Sequence, residues 1–79
     1  MAKHDTTIYT TPTCVYCKLT KEFFKQNNVD YKEVNVAQDE QAAMKMIEKS
    51  GQMGVPVIEI DGKIIVGYDK EAIKEALGL

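Results

Sequence analysis

Two cysteines stand within four residues of each other, Cys14-Val15-Tyr16-Cys17, and the chain has no others. A pair at this spacing suits three kinds of chemistry: a local disulfide, part of a metal site, or a dithiol that cycles with its disulfide. A stapled mini-protein spreads more cysteines along its chain, and a loop this small constrains little of the unfolded state. Structural zinc takes four ligands. His4 is the sole histidine, so a zinc site within one chain is short of ligands, and a site shared between two chains is the metal reading left. The redox reading needs a thiolate, because only the ionised sulfur attacks a disulfide; a free cysteine has a pKa of about 8.5, and a helix N-terminus lowers it. The bland alternative is two buried, inert cysteines. Cys14 follows Pro12-Thr13 in a connection rather than a core strand, which favours the redox reading.

The elements that position this pair follow from patterning. Thr6 to Thr11 is β-branched and aromatic and predicts a strand that Pro12-Thr13 ends. A helix is expected from about Cys14 to Gln26, with Leu19 and Phe23, and Thr20 and Phe24, paired at i, i+4. Asn27-Asn28 stops it. Val29 to Val36 predicts a second strand, parallel to the first across the helical crossover. Acids at Asp39 and Glu40 suit the start of a second helix, whose buried face is Ala43, Met46 and Ile47 and whose cap is Gly51. After the Gln52-Met53-Gly54 loop, Pro56 to Ile60 and Lys63 to Val66 predict a hairpin turning at Asp61-Gly62. Asp69 is a natural N-cap for a last helix that buries Ile73, Ala76 and Leu77 and ends at Gly78. The order is β-α-β-α-β-β-α. In the first helix of such a unit, Cys14 meets unpaired N–H groups and Cys17 lies one turn on, with its sulfur more covered. Cys14 is then the attacking thiol, and Cys17 resolves the mixed disulfide.

Composition bounds the rest. Seventy-nine residues make a single domain, 1–79, and a chain of this size buries only about 60% of its unfolded surface. Its chemistry must sit at the surface. With 44% hydrophobic and 28% charged residues the chain is globular rather than disordered. A net charge of −2 argues against nucleic acid, and no apolar run reaches the ~20 residues of a membrane span. A soluble, cytoplasmic monomer is expected. Lys18, Lys21, Lys25 and Glu22 give the first helix a local charge of +2 over residues 14–27. That is an ordinary solvated face or a mild steering field for an anionic thiol, and Lys18 could help hold the thiolate. Tyr16 and Tyr68 are expected to be exposed. A Pro at the start of an apolar strand is tolerated because it need not donate to the ladder.

Three segments in order resemble the glutaredoxins: Ile8-Tyr9-Thr10-Thr11-Pro12-Thr13-Cys14-Val15-Tyr16-Cys17, Gly54-Val55-Pro56-Val57, and Val66-Gly67-Tyr68-Asp69. The resemblance covers nearly the whole chain. It implies an α/β thioredoxin-like fold, a four-stranded mixed sheet with helices on both faces, and a cis Val55-Pro56 bond beside Cys14. It implies Cys14 as nucleophile and Cys17 as resolving thiol, with glutathione as co-substrate and no bound metal or other cofactor. The substrate set it implies is Thr13, Tyr16, Val55, Pro56, Tyr68 and Asp69, with Asp69 meeting the amino group of glutathione. Val15 after Cys14 is similar to the NrdH-redoxins, which are reduced by thioredoxin reductase and serve ribonucleotide reductase; their usual Phe-Arg-Pro segment is Tyr68-Asp69-Lys70 here. Thr11 stands where many glutaredoxins carry a cation. Some relatives instead hold an iron–sulfur cluster between subunits, generally through Cys-Gly-Phe-Ser; this chain keeps both thiols.

Overall fold

The computed structural model describes residues 5–52 and 54–79; His4 and Met53, and with them the zinc reading of His4, lie outside the described residues. Among the described residues seven elements follow one another: β1 Thr6–Thr10, α1 Val15–Gln26, β2 Lys32–Asn35, α2 Glu40–Ser50, β3 Val57–Ile60, β4 Lys63–Val66 and α3 Lys70–Leu77. The order is the one the patterning predicts, with shorter strands. Thr11 and Pro56 lie just outside β1 and β3, and β2 begins at Lys32 rather than Val29. Val29 donates its N–H to Phe24 O at 2.8 Å, so it closes the turn after α1 instead of joining the ladder. Asn27 caps α1, and Asn28 takes a positive φ of 56°, a conformation that Asn tolerates through its short polar side chain.

The four strands order as β2-β1-β3-β4. β1 pairs parallel with β2 (Tyr9 opposite Val34) and antiparallel with β3 (Tyr9 opposite Val57), and β4 returns antiparallel to β3. Asp61 and Gly62 turn that hairpin with φ of 50° and 88°, the pair of positive values that a two-residue turn of matching twist requires. β1, β2 and β4 therefore run the same way, and each feeds a helix. All three helices begin at one edge of the sheet.

Alternation along the strands divides the core. One face carries Ile8, Ile58, Ile60 and Ile65, packed with Phe23 and Phe24 of α1 and Ile73 and Leu77 of α3. The other carries Tyr9 and Val57 against Met46 of α2. Leu19 departs from its expected place: it is 39% exposed. Cys17, Thr20, Phe23 and Phe24 form the inward stripe, because the buried arc of α1 is turned about half a position away from Leu19. Phe24 is the largest fully buried side chain, and its ring stacks tilted on Tyr31 at 5.2 Å. Phe24→Ala should cost about 3–5 kcal/mol of stability in a urea titration; a loss below about 1 kcal/mol would show that this face does not depend on it.

Candidate active site

The start of α1 is built around a sulfur. Cys14 is the N-cap, with extended φ and ψ of −86° and 113°, and its Sγ accepts the Cys17 backbone N–H at 3.2 Å. The other two helices solve the same problem with carboxylates. Asp39 Oδ1 accepts from Ala42 N at 3.1 Å, and Asp69 Oδ1 from Ala72 N at 3.2 Å. In all three the donor is three residues beyond the cap. A helix N-terminus favours negative charge on the capping atom, and in α1 that atom is a thiol sulfur. The expected start of α1 at Cys14 is thus refined: Cys14 caps the helix and Val15 opens it.

Cys14 is half-buried, whereas Cys17, one turn further, is 1% exposed. Both are free thiols. Burial pushes the Cys17 thiol up to about 12; its hydrogen bond to Cys14 and the charge of Cys14 push the same way. A hydrogen bond from the Thr11 backbone and the Lys21 ammonium pull it down. One sulfur is therefore reachable at a helix N-terminus, and the other is covered and protonated.

Around this pair the expected residues fall at the same sheet edge. Val55-Pro56 is cis, as the resemblance implies. Pro56 is fully buried and precedes β3 at the level where β1 ends, and its carbonyl accepts the Gly67 N–H at 2.8 Å. This bond ties the start of β3 to the segment that enters α3. Thr13 and Asp69 are exposed, Val55 is half-buried and Tyr16 is 62% exposed. Tyr68 corrects the expectation of an exposed ring: it is half-buried and packs on the α1–α3 core. Val15, at 67%, and Val66, at 43%, add exposed apolar surface. Among the described residues no group of three or more His, Cys, Asp or Glu is placed to hold a metal, and no helix is long and apolar enough to cross a membrane. A groove of about 680 Å³ opens elsewhere, on the α2 side, lined by Tyr9, Lys32, Lys45, Lys49 and Glu59 among others; neither cysteine lines it.

Sequence reasoning missed what lies behind Cys17. Beside the resolving thiol the cation whose charge acts on Cys17 is Lys21. Lys21 Nζ lies 2.9 Å from Glu33 Oε2 of β2, and the same oxygen accepts the buried Thr10 hydroxyl at 3.0 Å. The Lys21 hydrogen bond holds the Glu33 carboxyl below its ordinary value, against partial burial and with help from Thr10. Glu33 in turn raises Lys21. The i, i+4 spacing of Cys17 and Lys21 was visible; the partner on β2 was not.

The family pattern for glutaredoxins matches residues 6–65. The chain belongs to the glutaredoxin family. This glutaredoxin-family chain is 51% identical over 70 residues to a glutaredoxin-like 8.6 kDa protein in the rubredoxin operon of Clostridium pasteurianum, covering 89% of this chain and 93% of that one. Among solved structures it superimposes on a glutaredoxin from Archaeoglobus fulgidus with a TM-score of 0.85 and 30% identity, over 98% of this chain and 87% of that one. It superimposes on the glutaredoxin-like NrdH-redoxin of Escherichia coli with a TM-score of 0.82 and 27% identity, over 90% and 92% of the two chains. The thioredoxin-like α/β fold is shared with these neighbours.

Two outcomes follow from this geometry. Near neutral pH, iodoacetamide should label Cys14 at least about tenfold faster than Cys17, as peptide mapping would read it; faster labelling of Cys17 would reverse their order. Glu33→Gln should cost about 0.5–1 kcal/mol near neutral pH, the scale of a half-exposed ion pair. Because the folded carboxyl is depressed, that contribution is present above the ordinary Glu pKa of about 4.3 and fades as pH falls through the folded value. Lys21 is raised, so its share persists up to about pH 10.4 and is lost above it. Denaturant titrations of both proteins across this range check the window.

Proposed function

We propose that this glutaredoxin-family redox protein is a dithiol–disulfide oxidoreductase that reduces protein disulfides or glutathione mixed disulfides through Cys14 and Cys17. The observation that carries the reading is the Cys14 sulfur capping α1 one turn before a buried thiol. Cys14 attacks a substrate sulfur as thiolate and forms a mixed disulfide; one substrate thiol leaves. Cys17 then gives up its proton and attacks the Cys14 sulfur, the Cys14–Cys17 bond forms, and the second substrate thiol leaves reduced. Two electrons pass to substrate, and two donor thiols, themselves oxidised to a disulfide, restore the pair in the cytosol, with no bound metal or cofactor in the cycle.

Glutathione is the first donor to consider. Thr13, Tyr16 and Asp69 are exposed at the edge that bears Cys14, and the Val55-Pro56 backbone and Tyr68 complete the proposed groove. Asp69 spends Oδ1 on capping α3 and presents an exposed carboxylate for an ammonium group. A second reading has its own support. Val15 and Val66 put exposed apolar surface where many glutaredoxins carry the Pro and Gly of their motifs, and Thr11 leaves a glutathione carboxylate without a cation. Such a surface suits a protein donor of the thioredoxin reductase kind and a client such as ribonucleotide reductase, in keeping with the thioredoxin-like activity profile of the E. coli NrdH-redoxin.

Cys14→Ser should abolish reduction of insulin and of hydroxyethyl disulfide; activity at the native rate in that variant would defeat the oxidoreductase reading. The oxidised protein is then offered two donors in turn, glutathione with its reductase and NADPH with thioredoxin reductase. Preference for glutathione should fall when Asp69→Asn is introduced. Preference for the flavoenzyme, indifferent to Asp69→Asn, would transfer the donor role to it.

A further inference from the structure

We propose that Lys21 is a positioning residue for the resolving step: held by Glu33 and Thr10, its ammonium favours the Cys17 thiolate at the moment it attacks the Cys14 mixed disulfide. This rests on the dithiol cycle proposed above and concerns its second half alone.

Lys21 lies four residues after Cys17, one turn along the same helix face. Its ammonium is not left to wander. Glu33 Oε2 fixes it at 2.9 Å, and that oxygen is fixed in turn by the hydroxyl of Thr10, itself 2% exposed. A buried hydroxyl donating to a carboxylate is a charge-assisted bond and a stiff anchor. Thr10 ends β1, and the next residue, Thr11, supplies the backbone hydrogen bond to the Cys17 sulfur. Helix, central strand and edge strand are thus tied together by one carboxylate, on the helix that carries the covered thiol.

The groups that act on Cys17 come from each of these elements. On α1 they are Cys14 and Lys21, and after β1 the Thr11 backbone. From β2, Glu33 acts through Lys21. In the free dithiol Cys14 opposes ionisation of Cys17 through both its hydrogen bond and its charge. Once Cys14 is bonded to a substrate sulfur, that charge is gone. What remains is burial against ionisation, with the Thr11 backbone and Lys21 in favour. Formation of the mixed disulfide therefore releases Cys17 from its strongest neighbour and leaves the lysine in place.

The size of the effect follows from two opposing trends. Raising a thiol's pKa by one unit cuts its thiolate tenfold, but the remaining thiolate is more nucleophilic, with a Brønsted coefficient of about 0.4–0.5. The net loss is about threefold per unit.

Equimolar DTNB separates the steps. Cys14 attacks and releases a first aryl thiolate; Cys17 then attacks the Cys14 sulfur and releases the second, giving two coloured phases from the folded wild-type protein. Lys21→Met should lower the ratio of second-phase to first-phase rate, by about threefold for each unit by which the Cys17 thiol rises. Lys21→Arg, which keeps the charge, should restore it to within about twofold of wild type. Glu33→Gln breaks the same ion pair but leaves the ammonium, and should lose less than Lys21→Met. An unchanged ratio in Lys21→Met, an equal fall in Lys21→Arg, or equal losses in Lys21→Met and Glu33→Gln would overturn the proposal. The first phase tests the cycle separately: if it survives in Cys14→Ser, the reading of Cys14 fails whatever Lys21 does.

Discussion

At the start of α1 the third N–H needs an acceptor, and the sulfur of Cys14 supplies it. Two requirements meet in that contact. The helix needs a capping atom, at a cost of about 1 kcal/mol if it is lost, and thiol chemistry needs an electropositive setting for a sulfur. Asp39 and Asp69 show what the cap looks like when only the first requirement applies. Replacing oxygen by sulfur at the same geometric place converts a structural device into a chemical one. It also fixes the second cysteine: the residue whose N–H makes the cap is Cys17, so the two-residue spacer of the motif is the span of one helical turn.

Sheet direction decides where this device opens. Because β1, β2 and β4 run the same way, three helix N-termini share one edge, and the segments Val55-Pro56 and Gly67-Tyr68-Asp69 arrive there too. The Gly67-to-Pro56 hydrogen bond locks these two segments together. A chain of 79 residues has no room to enclose a large substrate. It gathers helix ends at a surface instead, with exposed Tyr16 and Val15 beside the reachable sulfur.

Much of this was legible in the residues. The order of elements, the Asp61-Gly62 turn, the acids at the start of α2, the cap at Asp69 and the location of both cysteines follow from local rules, because capping and turn chemistry act over four residues. Strand limits were less so. The stretch from Val29 to Tyr31 has strand-like composition, yet it closes the turn after α1 and packs on Phe24, a choice set by tertiary contact rather than propensity. Leu19 and Tyr68 were misplaced for the same reason: half a position of helix rotation, or one core neighbour, decides their exposure. The cis Val55-Pro56 bond came through family resemblance; local rules favour trans. The Lys21–Glu33–Thr10 cluster was invisible because its members lie 12 and 23 residues apart along the chain, and only the parallel pairing of β1 with β2 brings them together.

The two sulfurs face opposite demands on the proposed cycle. The attacking thiol gains from exposure and from the helix end. The resolving thiol must stay protected from adventitious oxidants yet act quickly once a mixed disulfide exists. Burial gives the protection and slows the attack, since it holds the Cys17 proton on. Exposing Cys17 would remove the penalty and the protection together. A cation behind the sulfur, anchored by a carboxylate and a buried hydroxyl, eases the penalty without opening the surface. In a domain with so thin a core, that anchoring also ties α1 to β2, so on the proposed cycle one set of side chains serves stability and the second chemical step alike.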